Sequence, residues 1–333
     1  MQIGKLPPEV LIRLLSKTLP TEDVLVGPEY GEDAAVVKLR KKVLVAASDP
    51  VTFATDRIGR YAVCVNVNDV AAHGARPRWF LATILLPEGA SESEAAHVFD
   101  QINEACNRFG VALVGGHTEV TQSVRQTVVC GCMLGEVDEK ALVRTGGARV
   151  GDAVILAGGI AVEGTAILAR EVSDELAARG VPPEVLGSAR RLLDDPGICV
   201  LDYAMAAVEV GGVTSMHDPT EGGLASALRE LAAASGCGLV IDREAVHVLP
   251  ECRVICGALG LDPLGLIASG SLLITCSRER SAEIAARIRA HKVPAEVIGE
   301  VVESSRGLLF RDGGELPVFS RDEIARYFDE RGK

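Results

Sequence analysis

The sequence predicts an α/β chain of two domains, on three observations. Its 333 residues exceed what one ordinary domain needs, at roughly 100–200 residues per domain. Short runs rich in Val, Ile and Leu alternate with helical patterns, separated by polar turns that contain glycine. A seam at Thr145–Asp152, "TGGARVGD", is rich in glycine and poor in apolar side chains, which divides the chain into residues 1–150 and 151–333. The hydrophobic fraction of 48% suffices for two cores, and with aromatics at only 4% those cores must be built from Ala, Val, Leu and Ile.

Taken in order, residues 8–19 have helical apolar spacing, and residues 34–39 and 42–47 are β-rich runs joined by a basic turn. Residues 60–73, "RYAVCVNVNDVAAH", read as a helix by their small residues and by apolar positions at 62, 63, 67, 70 and 71. "PRWFLATILLP" is a buried strand ending at Pro87. Residues 91–109 form an amphipathic helix, with Ser91 as N-cap and Glu94 completing a capping box. "VALVGG" is a strand that runs out into the polar turn "GGHTEVT", and "RQTVVCGCMLGEV" is another strand. In the second half, "DAVILAG", "GLVID" and "GSLLITC" are strands, residues 162–170, 201–210, 222–235 and 280–291 are helices, and "RDEIARYFDERGK" is a charged terminal helix or tail.

A net charge of −12 with no Lys/Arg cluster argues against nucleic acid as a partner, although an acidic chain can bind polyphosphate when metal ions stand between carboxylate and phosphate. Nine cysteines, an odd number mostly in apolar surroundings, read as reduced thiols of a cytoplasmic protein. Cys130/Cys132 and Cys252/Cys256 are metal or redox candidates without paired CxxC spacing. No signal-peptide pattern opens the chain, and no run of about 18 apolar residues implies a membrane span.

Four acidic stretches fall in the first half: "GEDAAV" (Glu32, Asp33), "AASDPV" (Asp49), "VNVNDVAA" (Asn68, Asp69) and "GGHTEVT" (His117, Glu119). Any one alone reads as turn chemistry. Four beside apolar segments predict polar ends converging on one sheet edge, where Mg²⁺ would relieve the carboxylates' repulsion and bring phosphate oxygens with it. His73 reads as a helix cap. Asp218 in "HDPTEGG" either caps the helix that follows or faces a cleft. Ser269-Gly270-Ser271 is a turn or a phosphate contact, and Arg60 and Arg144 are phosphate-neutralising or surface arginines.

With "IGRYAVCVNVNDVAAHGARP", "VGGHTEVT", "TGGARVGDAVILAGGIAVEGTAIL", "HDPTEGGLASAL" and "GLIASGSLLI" in this order, the chain resembles the PurM-like (AIR synthetase-related) superfamily over residues 1–312, and within it the HypE hydrogenase-maturation family. The resemblance implies a homodimer whose N-terminal domains share a β-barrel, and ATP held through Mg²⁺. Carried over, Glu32, Asp33, Asp49 and Asp69 are metal ligands; Asn68, Gly115, Gly116 and Thr118 lie at the nucleotide; and His117, Glu119 and Asp218 face the substrate. The implied chemistry is activation of a substrate oxygen by phosphoryl transfer, on a small-molecule or protein-borne acceptor, with a maturation protein as a possible partner. The sequence departs from that pattern in four places. His117 replaces a carboxylate, Glu119 stands where HypE has lysine, and Glu221 where it has arginine. The chain ends "DERGK" where HypE has a Pro-Arg-Ile-Cys tail. The expectation is a HypE-like enzyme with another substrate. The alternatives are a nucleotide-binding scaffold without catalysis, a thiamine-monophosphate-kinase-like enzyme, and a metallochaperone using Cys130 and Cys132.

Overall fold

The computed structural model describes residues 12, 24–26, 32–39, 41–52, 54 and 56–331. They divide into two compact units, one of residues 24–26 and 33–142 and one of residues 12, 32 and 143–331. The helix expected over residues 8–19 lies outside the described residues except for Ile12.

The first unit is a seven-stranded sheet carrying two helices. Its strands are β1 (Val24–Val26), β2 (Ala35–Lys38), β3 (Val43–Ala47), β4 (Pro50–Val51), β5 (Arg76–Pro87), β6 (Ala112–Thr121) and β7 (Val128–Val137), in the order β1-β2-β3-β7-β5-β6 with β4 also on β7. Helices α1 (Ile58–Ala72) and α2 (Glu92–Phe109) pack on one face. Burial alternates along β7 and β5. Val129, Gly131, Met133, Gly135 and Val137 face the helices, whereas Val128, Cys130, Cys132 and Leu134 stay half-buried on the opposite face. Glycine on the helix side of β7 sets how close α1 can come. A Cβ at Gly135 would stand 2.3 Å from the Val70 side chain, and one at Gly131 2.4 Å from the Asn66 amide nitrogen. At the start of α2, Ser91 and Glu94 form the expected capping box, with Glu94 N–H donating to Ser91 Oγ at 3.2 Å and Ser91 N–H to Glu94 Oε2 at 2.6 Å.

One expectation is overturned here. "GGHTEVT" is not a turn after a short strand, because β6 runs on through Thr121, paired in parallel with β5 as far as Pro87. The long partner offers backbone hydrogen-bond partners over its whole length, and an irregularity at Phe80/Leu81 absorbs the residue that would otherwise break register. Gly116 serves this pairing. It holds φ +142°, and a Cβ there would fall 1.9 Å from Ala82 O.

The second unit holds a six-stranded sheet in the order β13-β10-β12-β8-β11-β9, from β8 (Ala153–Ala157), β9 (Val213–His217), β10 (Gly238–Ile241), β11 (Leu272–Cys276), β12 (Ala295–Val302) and β13 (Leu308–Phe310). Strands β8, β10 and β11 are buried along their whole length, as in a sheet covered on both faces. Helix α3 (Val162–Glu171) follows β8. Helices α4 (Ser173–Ala178), α5 (Pro183–Arg191) and α6 (Leu201–Val210) come next, then α7 (Gly223–Ser235) after β9. Leu224, Leu228 and Leu231 of α7 join Val154, Leu156, Leu273 and Ile298 in one core. Helices α8 (Pro250–Leu259), α9 (Arg278–Arg289) and α10 (Glu323–Arg331) complete the unit. All nine cysteines are free thiols. Cys252 and Cys256, one turn apart in α8, are buried with their sulfurs 3.8 Å apart. No helix among the described residues is long and apolar enough to cross a membrane.

The close approach of α1 to β7 makes a specific claim. Gly135→Ala should destabilise the protein by roughly 1–3 kcal/mol in urea unfolding, because Val70 and the Arg76 carbonyl leave no room for the methyl group. A loss below about 0.5 kcal/mol would show that the helix can shift away at little cost.

Candidate active site

In the first unit the β2–β3 hairpin brings two of the expected residues to one end. Ala35 pairs with Ala46, so Asp33, just before β2, and Asp49, just after β3, lie at the same end of the pair. Asp33 is half-buried and Asp49 exposed. Helix α1 is tied to this end by Asn66. Asp49 N–H donates to Asn66 Oδ1 at 3.0 Å, and Asn66 Nδ2 donates to Asp49 O at 3.2 Å and to Ala62 O at 2.8 Å. Gly131 N–H also donates to Asp49 O at 3.0 Å, and Ser48 Oγ to Gly131 O at 2.7 Å. The Asp49 backbone is thus held between α1 and β7, leaving its carboxylate at the surface. Asn68 and Asp69 lie in the same helix and are buried, Asp69 at 4% exposure. His73 ends α1, its Nδ1 3.1 Å from Asp69 O.

His117 and Glu119 project from edge strand β6 on the face they share with Thr83 and Leu85, opposite the helices. Both are exposed, and His117 Nε2 lies 3.3 Å from Glu119 Oε2. Their proximity follows from the strand, which sets residues two apart on one face. Gly115, Gly116 and Thr118 belong to the same strand rather than to a phosphate-cradling loop. Glu32 falls in the second unit, where its buried carboxylate accepts from Arg144 Nη2 at 3.4 Å. Among the described residues no three His, Cys, Asp or Glu side chains are gathered as a metal site. A cage made by protein alone is therefore not what these residues build. Mg²⁺ needs only one or two carboxylates when phosphate and water complete its shell, and Asp33 and Asp49 at the hairpin end fit that smaller requirement.

The second unit concentrates buried acids around the loop between β9 and α7. Asp218 follows β9 and is buried. His217, the last residue of β9, sets its Nε2 3.0 Å from Glu230 Oε2 of α7, both of them buried. Burial pushes Glu163, in the first turn of α3, up to about 7, and Ser269 beside it offsets this only in part. Burial also raises Asp322 to about 7, against the backbone donors Gly222 and Ile324 and with Glu221 adding repulsion. The two acids repel each other. Asp322 Oδ2 accepts from Gly222 N–H at 2.6 Å and Oδ1 from Ile324 N–H at 2.8 Å. Glu163 Oε2 is buried with no hydrogen-bond partner among the described residues. Both acids are therefore held well above the ordinary carboxylate range by burial, with hydrogen-bond donors offsetting only part of that cost.

Asn66, Glu163, Glu230 and Asp322 were not singled out from sequence. A Glu among small apolar residues in "AVEGTAIL" and an Asn one turn before Asp69 were available signals. Asp322, in a charged terminal stretch, carried none.

Glu163 has a consequence for stability. Its folded value lies above its ordinary 4.5, so its contribution is complete below about pH 4.5 and is lost as pH rises through about 7. Between pH 5 and 8 the wild type should lose up to about 3 kcal/mol that Glu163→Gln retains, read by urea unfolding at both pH values. Equal pH slopes for the two proteins would show that the ionised carboxylate is accommodated without cost.

Comparison with known proteins agrees with this architecture. The N-terminal domain profile of the AIR synthase related protein family matches residues 31–137, and its C-terminal domain profile residues 149–311. A Methanocaldococcus jannaschii protein named for hydrogenase expression/formation is 30% identical over 317 residues, 92% of this chain and 90% of its own. Carbamoyl dehydratase HypE of Cupriavidus necator is 34% identical over 261 residues, 77% of this chain and 71% of its own. The crystal structure of the hydrogenase maturation protein HypE in complex with ATP superposes with a TM-score of 0.72 at 26% identity, covering 95% of this chain and 91% of that one. By these matches and its two-sheet architecture, the chain belongs to the AIR synthase related protein family, PurM-like in fold and close to HypE.

Proposed function

We propose that the chain is an ATP-dependent enzyme that activates a substrate oxygen by phosphoryl transfer, related to HypE in its chemistry and different from it in its acceptor. The observation that carries this reading is the hairpin end at Asp33 and Asp49, locked to α1 through the Asn66 amide, in a chain close to a protein crystallised with ATP. Asp33 and Asp49 would hold Mg²⁺, with Asp69 behind them in α1. The metal's chemistry is neutralisation of charge on the phosphate oxygens. Asn66 keeps the Asp49 backbone still, so binding energy is not lost in ordering that loop. His117 and Glu119 are the groups of the first unit suited to take a proton from the acceptor. In the second unit the buried loop carrying Asp218 is by itself a candidate ligand-binding loop.

Specificity is where the reading departs from HypE. Glu119 and Glu221 are acidic where the resemblance to HypE implies basic residues, which suits an acceptor that is not anionic.

A homodimer belongs to the same proposal. The face of the first sheet opposite α1 and α2 presents half-buried Leu81, Leu85, Val128, Cys130, Cys132 and Leu134, an apolar surface that a second copy would cover. Sedimentation should give twice the chain mass of 35.0 kDa. A monomer at micromolar concentration would remove the dimer from the proposal.

Phosphorus NMR of the purified protein with Mg-ATP tests the activity. ATP should pass slowly to ADP and phosphate, and Asp33→Asn or Asp69→Asn should abolish that turnover while circular dichroism stays unchanged. Full activity in both variants would dismiss the metal-ligand assignment. Intact ATP after hours with the wild type would favour the scaffold reading.

A further inference from the structure

The loop that carries Asp218 is fixed at three points. Strand β9 pairs with β11 up to His217 opposite Leu273. The His217 ring rests on Glu230. The third point comes from far along the chain. Helix α7 begins after Gly222, which has φ +83° and no side chain to cap the helix. Asp322, 100 residues away, holds this end of the helix by accepting the Gly222 N–H at 2.6 Å. With its other oxygen it takes the Ile324 N–H and so caps its own helix, α10. One carboxylate therefore serves two helix N-termini, where the aligned peptide dipoles favour negative charge.

The segment around Asp322 is anchored by other contacts. Glu323 Oε2 accepts from Asp262 N–H at 2.9 Å, Arg326 Nη2 donates to Gly260 O at 3.1 Å, and Tyr327 Oη donates to Glu175 Oε2 at 2.8 Å. Arg229 Nη2 donates to Pro317 O at 3.2 Å. Removing the Asp322 carboxylate leaves all of these in place, so its effect on the loop is separable from the docking of α10.

We propose that Asp322 is a positioning residue for the 218–222 loop, setting where Asp218 and Glu221 stand by capping α7 from the C-terminal segment. The proposal rests on the reading of this loop as a ligand-binding loop. Its mechanics do not, since they concern the backbone alone.

The test compares wild type with Asp322→Ala and Asp322→Asn in the full chain, by amide hydrogen exchange and by steady-state ATP turnover. In Asp322→Ala, exchange in peptides covering residues 219–226 should rise about five- to thirtyfold, the equivalent of one lost cap, with a like rise confined to the first turn of α10, while peptides covering residues 327–331 and β10 hold. Turnover should fall about tenfold or more, with KM for ATP unchanged. Asparagine keeps one acceptor oxygen, so Asp322→Asn should recover part of both effects, and it carries the test if the alanine variant fails to fold. Faster exchange with undiminished turnover would reduce Asp322 to a structural cap. Unchanged exchange would overturn the proposal outright. If the wild type itself leaves ATP intact, the catalytic reading falls, and the exchange measurement alone decides whether Asp322 holds the loop.

Discussion

The first unit depends on one side-chain amide. Helix α1 is buried on nearly every side, yet carries Asn66, Asn68 and Asp69 in its buried positions, with His73 buried at its C-terminal end. Such groups are tolerated in an apolar interior only where they find partners. Asn66 finds three, two of them on the Asp49 peptide, and so turns the cost of a buried amide into a fixed relation between helix and hairpin. The glycines of β7 exist for the same contact. A methyl group at Gly131 would collide with the amide itself, and one at Gly135 would push the helix off the sheet. The site and the packing in this unit share one constraint, which is how near α1 comes to the strand beneath it.

The second unit uses buried acids where the first uses a buried amide. Glu163 and Asp322 are both costly to ionise, because both are buried. Two backbone N–H groups point at Asp322, and the spare oxygen of Glu163 has none. Asp322 stands at two helix ends, where negative charge is favourable. The Asp322 bond to the Gly222 N–H explains why the loop between β9 and α7 can end in glycine and still be held in one place.

The sequence by itself determined much of this protein. Period-two and period-3.6 patterns identify most strands and helices, because one-sided burial writes itself into apolar spacing. Ser91 and Glu94 announce the start of α2, since a capping box is made within four residues. Asp33, Asp49 and Asp69 stand out because carboxylates beside apolar runs call for an explanation, and motif order points to the family. Tertiary structure alone decided three other things. The stretch from Gly115 to Thr121 extends as strand because β5 lies alongside to pair with it, and no local signal in "GGHTEVT" records a neighbour about 35 residues earlier. Asn66 matters through its contact with Asp49, 17 residues away, and Asp322 through Gly222, 100 residues away. Local chemistry leaves its mark on nearby residues, whereas a hydrogen bond across the fold leaves none at either end until the chain has closed around it.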